Sequence, residues 1–405
     1  MDRRRKRSLI RNLTGIVRIK RAKIVLLIAF SQFVLLRIVS WPKWLLVPAK
    51  YADADIYINA GNALLSGTVP GSVNSGHPPL AEYIIGFFSV YLKSPNASAF
   101  VFGFLTAILA LLIARRLTGG LKWSALTVWI LAVDQVNISL SIRPMLEIFM
   151  IFFGILGLYL ILTTADGSRR YLISGLSFGF ALACKLTAVF FVVPVLLLLV
   201  YERKLREWIA VIGLIAIGYV IPYSQLLLTK GFEGFSSSQV LMLNIQYGLH
   251  IGGVSVDLLT RVMTPLIVHT TTLAPVTGYA GCPPNFLGLP FASIAESVNA
   301  PVLLLLLPVL FWLLRNHTAQ SREKRRAFRL LILAVISFMT YEAIFPTMIA
   351  AWYFAPIGTL IAIAAPVMLA DFQKRSNLSM LSIYLYLTVL STWLVWANSI
   401  YLACM

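Results

Sequence analysis

Residues 144–164 read PMLEIFMIFFGILGLYLILTT, an apolar run whose one charged side chain is Glu147. An α-helix needs about 20 predominantly apolar residues to cross about 30 Å of hydrocarbon, and this run has that length. Comparable runs occur at 24–48, 96–115, 122–138, 171–187, 188–201, 208–228, 300–314, 329–345, 347–370 and 379–402. The pattern predicts an all-α polytopic membrane protein with about 11 transmembrane helices and short amphipathic surface helices in its outer loops.

The composition excludes an ordinary soluble domain. Of the 405 residues, 59% are hydrophobic and 12% are charged, and the mean hydropathy is +0.85. Globular domains are about 25% charged, so lipid must be the solvent for much of this surface. The three cysteines, Cys184, Cys282 and Cys404, are scattered. Their spacing supports neither a disulfide framework nor a zinc site.

The net charge of +19 is distributed unevenly along the chain. With the N-terminus placed in the cytoplasm, the predicted inner segments hold 26 of the 34 basic residues and six of the 15 acidic residues, with ten basic residues in 1–23 and six in 315–329. Positive charge concentrates on the cytoplasmic side of membrane proteins. We therefore interpret the basic tail as an orientation signal that touches anionic headgroups, not as a nucleic-acid site.

This topology divides the chain into four parts. A basic cytoplasmic tail (1–23) precedes an N-terminal transmembrane core (24–228), which contains the first outer loop (49–95). A second long outer loop (229–299) and C-terminal transmembrane helices (300–405) follow. An odd number of spans places the C-terminus outside. We expect any activity to be built from the outer loops and the outer halves of the helices, in a plasma membrane or an equivalent secretory membrane.

The first outer loop has a structure of its own. Asp53 can cap a short helix that ends at Gly67, and the turn-forming sequence TVPGSVNSG follows. His77-Pro78-Pro79 then precedes a second amphipathic helix, 80–92. Both helices are too short and too polar on one face to span a bilayer, so we expect them to lie along the outer surface.

The same loop carries a resemblance to a known family. YADADIYINAGNALLSG (51–67) and HPPLAEY (77–83) resemble the first outer loop of the protein mannosyltransferases and aminoarabinose transferases, which are C-type membrane glycosyltransferases that use polyprenyl-phosphate sugars. The resemblance aligns Asp53 with the family's catalytic Asp. Ala54 replaces the usual Glu, and a second acid follows at Asp55. Which of the two acids is the base stays open at this point.

Further segments extend the resemblance in chain order. RPMLE (143–147), ACKLT (183–187) and YFAP (353–356) resemble family elements that read R..MLD, A.K.t and Y.LP. The resemblance and the cost of isolated charges near helix ends together assign Arg143 and Lys185 to the donor phosphate. Relatives often carry Lys after HPPL, whereas this chain has Glu82, so we expect no phosphate contact there. Candidate substrate contacts are Tyr57, His77, Glu82, Glu147 and Tyr353.

The resemblance implies transfer of a sugar, a hexose such as mannose, from a polyprenyl or dolichyl phosphate to a hydroxyl acceptor on a protein, a glycan or a lipid, with inversion. The donor already carries its leaving group, so the enzyme must deprotonate the acceptor and stabilise the departing phosphate. The acids Asp53, Asp55, Glu82 and Glu147 could surround a divalent ion, but nothing in their spacing requires one. We therefore expect no required cofactor.

Each assignment has a structural alternative. Asp53 can be only a helix cap, and Arg143 and Glu147, four residues apart, can pair with each other. Lys185 can extend its charge toward headgroups, and His77 can serve only the turn. A different function, membrane transport or lipid flipping without glycosyl transfer, predicts charges in mid-span, broken helices and internal repeats. A non-catalytic membrane scaffold explains the hydropathy but not the motifs.

Overall fold

A computed structural model describes residues 22–38, 52–163, 168–251, 306–318, 321–344 and 355–373. All regular structure within these ranges is helical, which confirms the all-α prediction for this part of the chain. Three helical stretches in it are long and apolar enough to cross a membrane: Pro95–Thr118, Leu205–Gln246 and Ala355–Gln373. The full count of 11 spans stays a prediction, since the predicted span 379–402 lies outside the described residues.

The helices are numbered here in chain order. They are α1 (22–38), α2 (Ala52–Leu65), α3 (Leu80–Val90), α4 (Pro95–Thr118), α5 (Leu121–Val133), α6 (Gln135–Leu140), α7 (Leu146–Thr163), α8 (Ser168–Cys184), α9 (Val189–Tyr201), α10 (Leu205–Val220), α11 (Ser224–Ile251), α12 (Leu306–Asn316), α13 (Arg322–Ile344) and α14 (Ala355–Gln373). Short 3₁₀ turns, Leu186–Ala188 and Ile221–Tyr223, precede α9 and α11.

The core of the bundle is built around α7 and α8. Helix α8 packs most extensively against α10 and α7, and α4 packs against α7 and α5. Small residues let the backbones approach closely: a Cβ placed on Gly179 of α8 would lie 2.8 Å from the Cα of Gly218 in α10. Aromatic rings fill the α4–α7 interface, where Phe102 meets Phe149 with ring centroids 4.9 Å apart. Helices in lipid associate through close packing of this kind because lipid tails remove the hydrophobic drive between them.

Two predicted spans differ from the observed helices. The span predicted at 122–138 ends as α5 at Val133, because Asp134 adopts an extended conformation and its side chain accepts a hydrogen bond from Val136 N at 3.2 Å to cap α6. The span predicted at 208–228 ends as α10 at Val220. Helix α11 then crosses the predicted boundary at 228/229 and kinks at Gly231, whose φ of 65° favours glycine.

The two short helices predicted in the first outer loop are present as α2 and α3. Gly67 follows α2 with φ 98°, the left-handed conformation expected of a residue that stops a helix. The two helices pack against each other at a glycine contact. A Cβ on Gly61 would lie 2.3 Å from the carbonyl oxygen of Glu82 and 2.7 Å from the nitrogen of Gly86. This contact fixes the position of α2, which carries both candidate catalytic acids.

Candidate active site

The two acids of α2 lie on different faces of the helix. Asp53 lies one turn before Tyr57, which is 5% exposed, and two further turns lead to Leu64, which is 3% exposed. Asp53 is on the same face as these residues, since residues four apart share a face, but its own side chain is exposed. Asp55 lies about 200° around the helix from Asp53 and is exposed together with Asn59.

Asp53 is not the cap that the sequence predicted. Helix α2 begins at Ala52, so Asp53 lies inside the first turn. A carboxylate in the first turn still interacts favourably with the positive end of the helix dipole. Its side chain is turned toward α7 and α8, where its electrostatic partners Glu147 and Lys185 are found.

Glu147 and Lys185 form a buried ion pair. Glu147 lies in the first turn of α7, and Lys185 follows the last residue of α8. The Nζ of Lys185 donates to Oε1 of Glu147, and the two side chains are 7% and 2% exposed. Lys185 is in an extended conformation (φ −159°, ψ 134°) that separates α8 from the following 3₁₀ turn. The break lies near the boundary predicted between the spans 171–187 and 188–201, and it directs the lysine toward α7.

The ion pair acts on Asp53. Partial burial raises the pKa of the Asp53 carboxyl, the negative charge of Glu147 raises it further, and the positive charge of Lys185 opposes both. The side chain nonetheless keeps contact with solvent. The structure thus brings together three of the predicted site residues, which are 94 and 38 positions apart in the sequence, and the result is a carboxylate of increased basicity.

Arg143 lies at the entrance to the same helix. It belongs to a stretch of buried residues, 141–145, that leads from α6 into α7. The alternative in which Arg143 and Glu147 pair along one helix face is wrong. Helix α7 begins only at Leu146, so Arg143 is outside it, and the carboxylate of Glu147 is bound by Lys185.

The turn between α2 and α3 places His77 against Tyr57. The two rings meet edge-on with centroids 5.7 Å apart. Asn74, with φ 45°, donates its side-chain amide to Oε1 of Glu82. Glu82 is only 1% exposed, and burial raises its pKa to about 8, although the hydrogen bond from Asn74 opposes the shift. This closed environment argues against the substrate contact predicted for Glu82 and gives it a role in holding the turn.

Helix α11 covers this turn through two glutamines. Gln225 donates to the carbonyl oxygen of Gly67 at 2.8 Å and accepts from the hydroxyl of Tyr83 at 3.1 Å. Gln246 donates to the carbonyl oxygen of Gly76 at 2.6 Å. Sequence reasoning missed both glutamines, because nothing in their spacing identifies a partner about 160 residues earlier in the chain.

A second missed group lies within the apolar bundle. Arg37 of α1 is fully buried and donates to the carbonyl oxygens of Phe33 at 3.0 Å and Leu131 at 3.3 Å. Asp134 is 1% exposed and interacts electrostatically with Arg37. The signal was present in the sequence: two opposite charges inside predicted spans, where an isolated charge is costly.

The structure leaves the roles of Tyr353 and of a metal ion as predictions. Tyr353 lies outside the described residues. Within the described ranges, no group of three or more His, Cys, Asp or Glu side chains is arranged to hold a metal ion. Independence of metal therefore stays a prediction.

Comparison with known proteins gives a partial family match and a shared fold. Residues 76–225 match the family model described as dolichyl-phosphate-mannose-protein mannosyltransferase. No curated protein sequence matches the chain. ArnT from Cupriavidus metallidurans bound to undecaprenyl phosphate is similar in structure, with a TM-score of 0.52 and 15% identity over 85% of this chain and 59% of ArnT.

Two further structures align less closely. Apo ArnT from the same organism aligns with a TM-score of 0.49 and 15% identity over 78% of this chain and 55% of its own. The apo oligosaccharyltransferase of Archaeoglobus fulgidus aligns with a TM-score of 0.49 and 14% identity over 93% of this chain and 54% of its own. The chain thus spans between 54% and 59% of the length of these three proteins. The match over 76–225 and the fold shared with undecaprenyl-phosphate-bound ArnT confirm the resemblance of this chain to the mannosyltransferase and aminoarabinose transferase-like C-type membrane glycosyltransferases.

Proposed function

We propose that the chain is a glycosyltransferase that moves a sugar, a hexose such as mannose, from a polyprenyl or dolichyl phosphate to a hydroxyl acceptor at the outer face of the membrane. The observation that carries the proposal is the convergence of Asp53 with the buried Glu147–Lys185 pair at the start of α7. A carboxylate of raised basicity beside a buried cation is what deprotonation of an acceptor and departure of a phosphate require.

Asp53 serves as the general base. The acceptor hydroxyl gives its proton to the Asp53 carboxylate as its oxygen forms a bond to the anomeric carbon. The bond between that carbon and the phosphate oxygen breaks, and the lipid phosphate leaves with the electron pair. A single displacement of this kind inverts the anomeric configuration. The raised pKa of Asp53 supports this role, because a general base works best when its pKa approaches the working pH.

Arg143 and Lys185 stabilise the departing phosphate. Lys185 is held by Glu147, so the incoming phosphate competes with the Glu147 carboxylate for the ammonium group. Arg143 can bind phosphate through its planar guanidinium in a bidentate manner. Both cations lie next to α7, where the surrounding protein excludes water and strengthens their interaction with a developing negative charge.

The donor class is supported by the family match over 76–225 and by the undecaprenyl phosphate bound to ArnT. The lipid chain would lie between membrane helices, with its phosphate at the level of Arg143. The charge distribution of the sequence supports a cytoplasmic N-terminus and an active site on the outer face of a plasma membrane or an equivalent secretory membrane. The acceptor is a hydroxyl of a protein, a glycan or a lipid.

The test uses the full-length protein in proteoliposomes with a panel of labelled polyprenyl-phosphate and dolichyl-phosphate sugars and candidate acceptors. The wild type should release lipid phosphate and label an acceptor, whereas the Asp53→Asn variant should not. Equal transfer by the wild type and by the Asp53→Asn variant would remove Asp53 as the base. If no donor is consumed while a solute or lipid crosses the bilayer, the chain is a transporter and the proposal fails.

A further inference from the structure

Asp134 ends α5 and begins the connection that leads to Arg143. This α5–α7 connection (residues 134–145) contains α6 and a short turn. Asp134 is 1% exposed and directly follows the mostly apolar helix α5. A buried carboxylate in such a place is costly, and proteins keep one where it holds something else in position.

Hydrogen bonds run along the connection from Asp134. The carboxylate accepts from Val136 N at 3.2 Å and from the side-chain amide of Asn137. The backbone carbonyl oxygen of Asn137 accepts a hydrogen bond from the backbone N of Ser141 at 3.0 Å and another from the Oγ of Ser141. The contacts that start at Asp134 therefore end at Ser141, two residues before the residue proposed to bind phosphate.

The connection is held between two glycines of neighbouring helices. A Cβ on Gly358 of α14 would lie 2.8 Å from Oδ2 of Asp134. A Cβ on Gly103 of α4 would lie 2.4 Å from Oγ of Ser141. Helices α4 and α14 thus leave room for these polar side chains and for no larger displacement, since interiors are close-packed.

Arg37 supports the carboxylate from a third side. It interacts electrostatically with Asp134, and its Nη2 donates to the carbonyl oxygen of Leu131 in the last turn of α5. The described segment of α1 therefore reaches the same connection that α4 and α14 enclose. Three helices, α1, α4 and α14, thus contact the connection that leads to Arg143, and none of them carries a residue assigned to the chemistry.

We propose that Asp134 is a positioning residue for Arg143: through Asn137 and Ser141 it fixes the α5–α7 connection so that the guanidinium meets the donor phosphate in one geometry. The inference rests on the proposed function. A cation that stabilises a leaving group must be pre-organised, because reorganisation during the reaction reduces its effect. Asp134 would hold Arg143 in position without itself contacting the substrate.

The test is a double-mutant cycle between positions 134 and 143 in the full-length protein. Undecaprenyl phosphate is the probe for binding, and kcat and KM of the transfer reaction are measured with whichever donor of the proposed panel the wild type consumes. We expect Asp134→Leu to weaken binding and raise the donor KM between roughly ten- and a hundredfold. Asp134→Asn keeps one acceptor oxygen for the backbone N of Val136 and should change them less than Asp134→Leu does.

The cycle separates positioning from a general loss of structure. In an Arg143→Met background, Asp134→Leu should cost little further binding, because the group that it positions is gone. Additive losses of the two substitutions would overturn the proposal, and so would an unchanged affinity of the Asp134→Leu variant. If the wild type binds undecaprenyl phosphate but transfers no sugar, the proposed function fails while this inference is still tested by binding.

A second variant addresses the case in which Asp134→Leu does not fold. Gly103→Ala keeps every polar group but displaces Ser141, and it should raise the donor KM in the same direction. Gly213→Ala in α10 is its matched control, since a Cβ there meets nothing within 4 Å. Equal KM values for the two glycine variants would also overturn the proposal.

Discussion

The ion pairs at the two ends of the helix bundle differ in how far they are exposed to solvent. At the end that holds the candidate site, the Glu147–Lys185 pair is nearly inaccessible, with side chains 2% and 7% exposed. At the other end of the bundle, Arg116 of α4 and Glu323 of α13 pair at 3.0 Å with side chains 48% and 64% exposed. The two pairs therefore differ in interaction strength, because water screens the exposed pair and not the buried one.

At the predicted inner end, ion pairs and hydrogen bonds also connect neighbouring helices. Glu202 contacts Arg326 at 3.0 Å and Lys204 at 3.6 Å, and Tyr171 accepts a hydrogen bond from Lys204 at 2.9 Å. These contacts connect α8, the α9–α10 turn and α13, and the side chains of their ion pairs are 15–20% exposed. The candidate site has fewer charges, but there Glu147 raises and Lys185 lowers the pKa of Asp53. The number of basic residues at one end of the bundle therefore indicates how the protein is oriented in the membrane. The burial of a charged group indicates where the protein can carry out chemistry.

The largest expected effect separates the two acids of α2. Asp53→Asn should lower the rate of sugar transfer by about 10²–10⁴-fold, the range typical of removing a general base. Asp55→Asn is the matched control and should leave most of the activity, since Asp55 lies about 200° around the helix from Asp53, the acid that interacts with Glu147 and Lys185. Initial rates with the active donor provide the measurement, and a greater loss for Asp55→Asn would reverse the assignment.

Breaking the buried pair should destabilise the protein strongly. Lys185→Met leaves an unpaired buried carboxylate, so unfolding in detergent should become easier by about 3–5 kcal/mol. Removing both charges in a Glu147→Leu/Lys185→Met double variant should recover part of that stability while transfer stays low. Thermal unfolding followed by tryptophan fluorescence gives the comparison. If the double variant is less stable than the single one, the pair is not held by mutual charge.

Adding one methyl group at the α2–α3 glycine contact should lower both stability and activity. Gly61→Ala must displace the backbone of α3, at a cost of about 1–3 kcal/mol, and should lower transfer because α2 carries Asp53. Gly120→Ala, where a Cβ meets nothing within 4 Å, controls for the change of residue type. Similar stability and activity of the two variants would show that α2 is not fixed by this contact.

Glu82 should give the stability of the protein a dependence on pH. Burial raises its pKa from 4.5 to about 8 in the folded chain, so the folded state binds this proton more tightly than the unfolded state does. The stabilisation is complete below about pH 4.5 and is lost as the pH rises through about 8. Glu82→Gln, which imitates the protonated acid, should flatten this dependence between pH 5 and 9 in thermal unfolding curves, whereas an unchanged slope would contradict it.

The smallest effect is expected at the exposed pair. Arg116→Met should change the free energy of unfolding by less than about 1 kcal/mol, because the pair with Glu323 is largely in solvent. Added salt should weaken even this contribution. A loss as large as that of Lys185→Met would remove the contrast between the two ends of the bundle.

Sequence reasoning predicted the local features of the fold with good accuracy. The two short helices, the stop at Gly67 and the apolar character of α4, α7 and α8 follow from hydropathy, glycine conformation and periodicity, which are properties of neighbouring residues. It failed where a helix was interrupted by a polar contact. Asp134 ended the span predicted at 122–138 by capping α6. Lys185 ended α8 three residues before the predicted end of the span 171–187 and pairs with Glu147, a partner that spacing does not reveal.

The sequence by itself determined the class of the molecule, since a chain that is 59% hydrophobic must use lipid as solvent, and its motifs placed Asp53, Arg143, Glu147 and Lys185 among the candidates. Only the tertiary structure decided how they relate. It paired Lys185 with Glu147 in place of Arg143. It brought Asp53 within electrostatic reach of that pair. It buried Glu82, whose carboxyl group accepts a hydrogen bond from Asn74. The physical reason is that burial and long-range charge interactions depend on which helices pack together, and a linear spacing contains neither.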